Sequence, residues 1–428
     1  MKHEKTADNV PDRRRFLGRV GAGSVSLAIG SGLIAACSEK PAQTALPLAP
    51  AVSAATNSSH ETNTRAAATV PFYGEHQAGI VTPAQRHIYF LVLDLHTTAP
   101  QEIREVFKRW TAYASLLTKG ENTLPYGDNS HVPPADTGEA DSLNAYKLTL
   151  TFGVAPSFLR KLGLSEQLPP DFADLPTFPR DQIRGELSGG DICIQSCADD
   201  PQVAFHAIRQ LVRQARSSVT MKWSQTGFNA FDLGNDTPRN LFGFRDGTAN
   251  QDTLKKAEDL IWIGSPSWLK GGSYLVARKI QMHLETWDRT SLKGQEETFG
   301  RARASGAPLS GKAEFDTADV NVRDAKGQYV IPENSHMGLS KRSGIQLLRR
   351  SFSYSNGIDP VTGQFDAGLL FVSFQKSPGQ FIGVQSALGR IDKMNEYITH
   401  IGSGLFACFG GVLEGQYIGQ ALLEARHG

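Results

Sequence analysis

The chain has 428 residues, with 44 Lys+Arg against 43 Asp+Glu for a formal charge of +1. Apolar residues make up 40% and charged residues 20%, as in a soluble globular protein of two or three domains. The balanced charge gives no electrostatic reason to expect nucleic acid as a partner, and four cysteines in so long a chain exclude a disulfide scaffold.

Residues 1–37 read as an address. Arg13-Arg14-Arg15-Phe16-Leu17 precede an uncharged run from Val20 to Ala36. Paired arginines before a modest apolar stretch form a twin-arginine export signal. An uncleaved anchor helix is the alternative, but the run is rich in Gly and Ser and short for a membrane span. Ile34-Ala35-Ala36-Cys37 resembles the lipobox at which bacterial lipoproteins are cut and lipidated; cleavage nearby, with Cys37 incidental, is the other reading. Residues 38–71 are rich in Ala, Pro, Thr and Ser without periodicity, as expected of a disordered tether. The expected location is the periplasm or the outer face of the cytoplasmic membrane, with Cys37 as the membrane tether.

The N-terminal domain is expected over 72–235. His87 to Leu95 is an apolar run of strand length. A helix follows, with Ile103, Val106, Phe107, Trp110 and Leu117 at helical spacing and Gly120 at its end. Leu148–Val154 and 191–196 read as strands, 200–216 as an amphipathic helix and 218–224 as a strand. Cys193 and Cys197, four strand residues apart, lie about 13 Å apart and cannot bridge within the roughly 7 Å that a disulfide allows. The order is strand, helix, strand, strand, helix, strand, which is the ferredoxin-like plan.

The C-terminal domain, 236–428, repeats that order. A strand is expected over 273–286, with Tyr274, Val276, Ile280, Met282 and Leu284 on one side. A helix is expected near 288–301, strands at 345–355 and 367–375, a helix over about 378–398 and a last strand from Gly404 to Phe409. The stretch 301–344 is irregular and longer than ordinary loops, which favours a functional role. The fold class is therefore α+β, built from two βαββαβ halves.

Three features carry chemistry. In GFRDGTAN, residues 243–250, Asp246 sits in a segment that must turn sharply. The plain reading is a D-G turn; the functional one is a backbone that hugs a ligand and aims a carboxylate at it. His336 lies in the irregular stretch, where a surface or hydrogen-bonded histidine is the ordinary expectation. Arg349-Arg350 interrupts an apolar strand. Neighbours on a strand point to opposite faces, so one arginine facing solvent leaves the other facing inward, where it needs an anion or polar ligand.

Together these features resemble the dye-decolourising peroxidase family, whose GxxDG signature is Gly243 to Gly247. FYGEHQAGI at 72–80, NLFGFRDGTAN at 240–250, GGSYLVARKIQ at 271–281, LRRSFSYS at 348–355 and GLLFVSFQ at 368–375 look like its deferrochelatase/peroxidase branch, which accompanies bacterial ferrous-iron uptake. The resemblance covers about 72–428. It implies a dimeric α+β barrel-like arrangement of the two ferredoxin-like domains, with haem b in a pocket of the C-terminal one. It places His336 on the iron, Asp246 and Arg349 on the peroxide side, and Gly247, Thr248 and Ala249 along the haem. Arg342 would meet a propionate. The family usually has an arginine two residues after the histidine, where this chain has Gly338, and an Asn-Pro where it has Ser340-Lys341. Lys341 is thus the other propionate candidate. No C-x-x-C-H occurs, so the haem would be held non-covalently, one per chain.

The implied partners are hydrogen peroxide, haem or another porphyrin, small aromatic reductants and proteins of iron uptake; an oligomer is compatible with the reading. A haem or iron carrier without turnover is the competing function, and it would not require a carboxylate beside an arginine. His76, in the first branch motif, is expected to pack or cap.

Overall fold

The computed structural model describes residues 69–123, 129–231, 237–264 and 268–425. Arg13-Arg14, Cys37 and nearly all of the expected tether lie outside the described residues.

The first half runs β1 (His87–Leu95), α1 (Pro100–Leu117), β2 (Thr149–Val154), a short α2 (Pro156–Lys161), β3 (Ile192–Ala198), α3 (Pro201–Ala215) and β4 (Val219–Phe228). Two short helices, α4 (Asn250–Leu254) and α5 (Ala257–Leu260), lead into the second half. There follow β5 (Ser273–Met282), α6 (Leu284–Trp287), α7 (Leu292–Phe299), α8 (His336–Ser343), β6 (Leu348–Arg349), β7 (Phe352–Ile358), β8 (Phe365–Gln375), α9 (Pro378–Ile391), β9 (Ile398–Cys408) and α10 (Gln420–Leu423). The main helices start where the sequence supplies start signals. Proline opens α1, α3 and α9, Asp200 caps α3, and Ser377 with Gln380 forms a capping box on α9; each satisfies amide groups that a helix start leaves free.

Each half has the ferredoxin-like strand order, and the two sheets join edge to edge. β2 pairs β9 through Gly153–Cys408 and Val154–Ala407, and β4 pairs β7 at Phe228–Ser353. With β5 paired to both β8 and β9, the sheet closes into a barrel. Closure buries one strand face inside the barrel, and helices cover much of the other, so both are apolar. Ile88, Phe90, Val92, Leu275, Ala277, Leu370, Val372 and Phe374 share one core cluster. Leu91, Leu93 and Val276 alternate with them and pack with Ile103, Phe107, Ile208 and Leu211 of α1 and α3. A third cluster of Phe242, Phe244, Trp287, Phe299 and Tyr397 gathers with Ile280 and Met282.

Five expectations change. The strand expected over 273–286 stops at Met282, because Leu284–Trp287 makes a helical turn. The strand expected over 345–355 is interrupted between β6 and β7, at Arg350-Ser351. The helix expected to about 398 ends at Ile391, and the final strand begins at Ile398 rather than Gly404. The stretch to 344 is not irregular throughout, since α8 fills its end.

The leading segment joins both halves. Gln77 Nε2 donates to Phe152 O and Phe409 O, 2.9 Å each, and Gly411 N donates to Glu75 O. His76 stacks on Trp262, ring centroids 3.7 Å apart, while its Nδ1 meets Gly271 O at 2.7 Å. It packs between the segment and the second half, as expected.

Candidate active site

The turn that carries Asp246 needs backbone that only glycine adopts readily. Gly243 and Gly247 have φ of +83° and +85°, in the left-handed region where a Cβ is costly. Aromatic residues anchor it: Phe244 stacks on Phe299 with centroids 4.0 Å apart, and Phe242 O accepts from Trp287 Nε1 at 3.1 Å. Asp246 N donates to Pro238 O at 2.9 Å. The side chain is thus presented by a braced turn, beyond what a D-G pair alone would ensure.

The structure brings Asp246 and Arg349 into direct contact, with Arg349 Nη2 donating to the Asp246 carboxylate. The Arg349 guanidinium lies 5.7 Å from the centroid of the Phe371 ring. Its Nε is buried and has no hydrogen-bond partner among the described residues. The side chain as a whole keeps 31% of its surface exposed, so part of the guanidinium stays within reach of a ligand.

Asn250 is the residue that joins the two elements. Its Nδ2 donates to Arg349 O at 2.6 Å, and its Oδ1 accepts from Arg349 N at 3.0 Å. The side-chain amide acts like a short strand edge on the arginine's own peptide groups, fixing the turn against β6. Asn250 lies in the motif but was missed as a site residue, because its partner is 99 residues away.

Gly247, Thr248 and Ala249 follow Asp246 directly. Thr248 Oγ1 donates to Glu314 Oε1 at 3.3 Å, and Ala249 is the N-cap of α4.

His336 opens α8, whose N-cap Ser335 accepts from Gly338 N and whose C-cap is Gly344 in the left-handed conformation. This Ser-to-Gly bracket is a helix signal that the sequence held, hidden by the short length and mostly polar residues. His336 Nδ1 meets Asp392 Oδ2 at 2.7 Å, and Asp392 is 4% exposed. That contact assigns the ring proton to Nδ1, leaving the Nε2 lone pair available and without a hydrogen bond among the described residues. This is how an iron-ligating histidine is usually held. Asp392 gave no sequence signal, being 56 residues from His336.

The remaining candidates, Arg342 and Lys341, are on α8 with His336. Arg342 donates to Val320 O at 2.9 Å and Glu333 O at 3.4 Å, and its guanidinium lies 5.3 Å from the Tyr329 ring centroid. A guanidinium has five donors, so further acceptors remain accessible to it. Lys341 is exposed. The space at Gly338 is already taken: a Cβ there would lie 2.7 Å from Pro332 O and 2.9 Å from Arg342 Nη1. This chain therefore has no room for the arginine usual at that position.

Arg350 is the inward arginine of the pair, and it has the polar partners that an inward arginine needs. Arg350 is 6% exposed and donates to Thr82 O, Pro83 O and Gln85 Oε1. The two side chains take different surroundings: Arg350 is held by the leading segment, while Arg349 is 31% exposed beside Asp246.

Two family descriptions match in tandem: "Dyp-type peroxidase, N-terminal" over residues 77–229 and "Dyp-type peroxidase, C-terminal" over residues 237–413. Deferrochelatase from Escherichia coli is 35% identical over 435 residues, covering 97% of this chain and 98% of the relative. Deferrochelatase from Yersinia pestis is 34% identical over 434 residues, covering 97% and 95%. Among solved structures, a DyP-type peroxidase from Streptomyces coelicolor aligns with a TM-score of 0.78 at 38% identity, covering 83% of this chain and 97% of that one. Ferric DtpA from Streptomyces lividans aligns with a TM-score of 0.77, again at 38% identity and with the same coverage. The chain belongs to the DyP-type peroxidase family and is a haem-dependent peroxidase.

Proposed function

We propose that the chain holds one haem b non-covalently through His336 Nε2, reduces hydrogen peroxide with Asp246 and Arg349, and releases iron from haem as a deferrochelatase in iron uptake. The observation that carries the peroxide chemistry is the Asp246–Arg349 contact, made by an arginine side chain that is still 31% exposed. The names of the relatives support the deferrochelatase part.

Bound haem supplies the iron position at which peroxide is reduced. Asp246 takes the proton from one peroxide oxygen and returns it to the other as general acid–base. Arg349 keeps its charge at any working pH and stabilises the charge that develops on the departing oxygen. Gly247 lets the backbone approach a flat ring closely, and Thr248 and Ala249 extend that wall. Arg342, with Lys341 as the other candidate, meets a propionate. Small aromatic molecules supply the electrons. A carrier without turnover would gain nothing from a carboxylate paired with a guanidinium, so the enzyme reading is preferred.

Stopped-flow mixing of the haem-loaded protein with peroxide tests the assignment. Asp246→Asn should slow the reaction by about 10²–10⁴-fold and Arg349→Leu by about 10²–10³-fold, both with haem retained. Parental rates in both variants would sink it. Iron and intact porphyrin released after incubation with haem in acid would report the deferrochelatase step; porphyrin that keeps its iron would exclude it.

The same reading places the enzyme in the periplasm or on the outer face of the cytoplasmic membrane, exported through Arg13-Arg14 and tethered at Cys37. There it meets proteins of iron uptake, and an oligomer is compatible with it. Arg13→Lys with Arg14→Lys should leave the protein in the cytoplasm, and undiminished export would refute the route. Loss of fatty-acid label in Cys37→Ala would support the tether; an unlabelled parent would refute it.

A further inference from the structure

We propose that Glu314, in the long connection between α7 and α8, is a positioning residue that sets the aim of Asp246. This rests on the reading of Asp246 and Arg349 above.

Three residues of the segment that carries Asp246 converge on this one carboxylate. Thr237 Oγ1 and Thr248 Oγ1 both donate to Glu314 Oε1, the latter at 3.3 Å. Arg245 Nε lies 3.6 Å from Oε2. Thr237 and Thr248 bracket Asp246 in sequence, and Arg245 adjoins it. A single side chain therefore holds the segment on both sides of the catalytic position. Its own side chain is only 9% exposed, so its bonds compete little with water.

The connection itself is fixed in turn. Arg301 Nη1 donates to Glu314 O at 3.1 Å and to Gly306 O at 2.7 Å. Gly306 has a φ of +76°, and a Cβ there would lie 2.8 Å from Arg245 Cγ and 3.2 Å from Glu314 Cγ. The loop backbone thus packs directly on the two side chains. Asn250 ties the same turn to the Arg349 peptide. One tie fixes the turn against the arginine and the other fixes it against the loop. The Asp246 carboxylate has to be held to within about half an ångström for efficient proton transfer, and two independent ties can supply that. A carboxylate removed from water is expensive unless its partners compensate. Here the partners are the neighbours of Asp246 themselves.

The test uses the haem-loaded full chain. Glu314→Ala removes both the acceptor and the charge; Glu314→Gln keeps an acceptor for the threonines and loses the charge beside Arg245. Two readouts apply: the pH profile of the peroxide reaction, and the affinity of the ferric protein for fluoride, which senses the donors facing an iron-bound anion. Glu314→Ala should slow the peroxide reaction at least about tenfold, alter its pH profile and weaken fluoride binding, with Glu314→Gln falling between it and the parent in both, because it keeps the acceptor for the threonines and loses the charge beside Arg245. If Glu314→Ala loses haem or melts early, Glu314→Gln decides: an intermediate loss in both readouts supports the proposal, and parental values overturn it. Parental rate, pH profile and fluoride affinity in Glu314→Ala overturn it outright. Asp246→Asn separates the levels. If that variant slows the reaction while Glu314→Ala does not, only the positioning role fails; if Asp246→Asn is itself parental, the underlying reading falls with it.

Discussion

At the scale of single residues, His336 is defined by what it leaves free. Asp392 engages Nδ1 at 2.7 Å and also accepts from Met394 N at 2.9 Å through its other oxygen. The carboxylate is thus held by the chain beyond α9 while it orients the ring, and such an outer partner typically changes metal affinity by about 10–100-fold. His336→Ala is expected to lose most bound haem, or to shift the Soret band as another group replaces the imidazole. Asp392→Asn is expected to keep the haem but raise the reduction potential, since a neutral amide donates less electron density through the ring than a carboxylate. Haem content by pyridine haemochrome and a spectroelectrochemical titration measure both. A parental spectrum and haem content in His336→Ala would move the ligand to another residue.

At the scale of elements, the sequence was most legible where local signals and burial agree. α1 and α3 were readable because their apolar residues recur at helical spacing and because Pro100 and Asp200-Pro201 mark their starts. β1 and β8 were readable as unbroken apolar runs. Those runs also concealed something: strands buried on both faces lose the alternation that would show which side faces which core, so closure through β2–β9 and β4–β7 left no local mark. α8 was lost because eight residues with one glycine, two serines, a lysine and an arginine give little periodicity, and only the cap residues betray it. The site divided in the same way. Asp246, His336 and Arg349 were reachable through motifs and resemblance. Asn250, Asp392 and Glu314 act through partners 99, 56 and 66 residues away, and pairings at such separation belong to the fold. For Arg349-Arg350 the need of an inward arginine for polar partners was legible, but the partners of Arg350, at Thr82, Pro83 and Gln85, lie more than 260 residues away.

At the scale of the whole molecule, folding removes several charges from water, and these set how the protein meets acid. Arg278 on β5 pairs with Asp181 at 2.5 Å, both side chains 2% exposed or less. In the first half, Asp136 is 1% exposed and ties the loop after α1 to α3. Its carboxylate accepts from Thr123 N at 3.1 Å, Gly138 N at 2.9 Å and Gln210 Nε2 at 3.4 Å, and meets His206 Nε2 at 2.9 Å. Burial works to raise its pKa, but the bonds from Gly138, His206 and Thr123 and the charge of His206 prevail and hold it at about 2, below its ordinary 3.8. The unfolded chain therefore binds this proton first as pH falls. The contribution of Asp136 to stability is complete above about pH 4 and is lost between there and about pH 2. Asp136→Asn should lower the melting temperature at neutral pH, because the carboxylate's charge-assisted bonds are gone. It should also flatten the fall of melting temperature across pH 4 to 2, because the group that titrates there has been removed. Thermal melts of parent and variant at half-unit pH steps measure this. Parallel curves across that window would show that Asp136 titrates alike in the folded and unfolded chain, and that the acid sensitivity of the fold is set by other buried carboxylates.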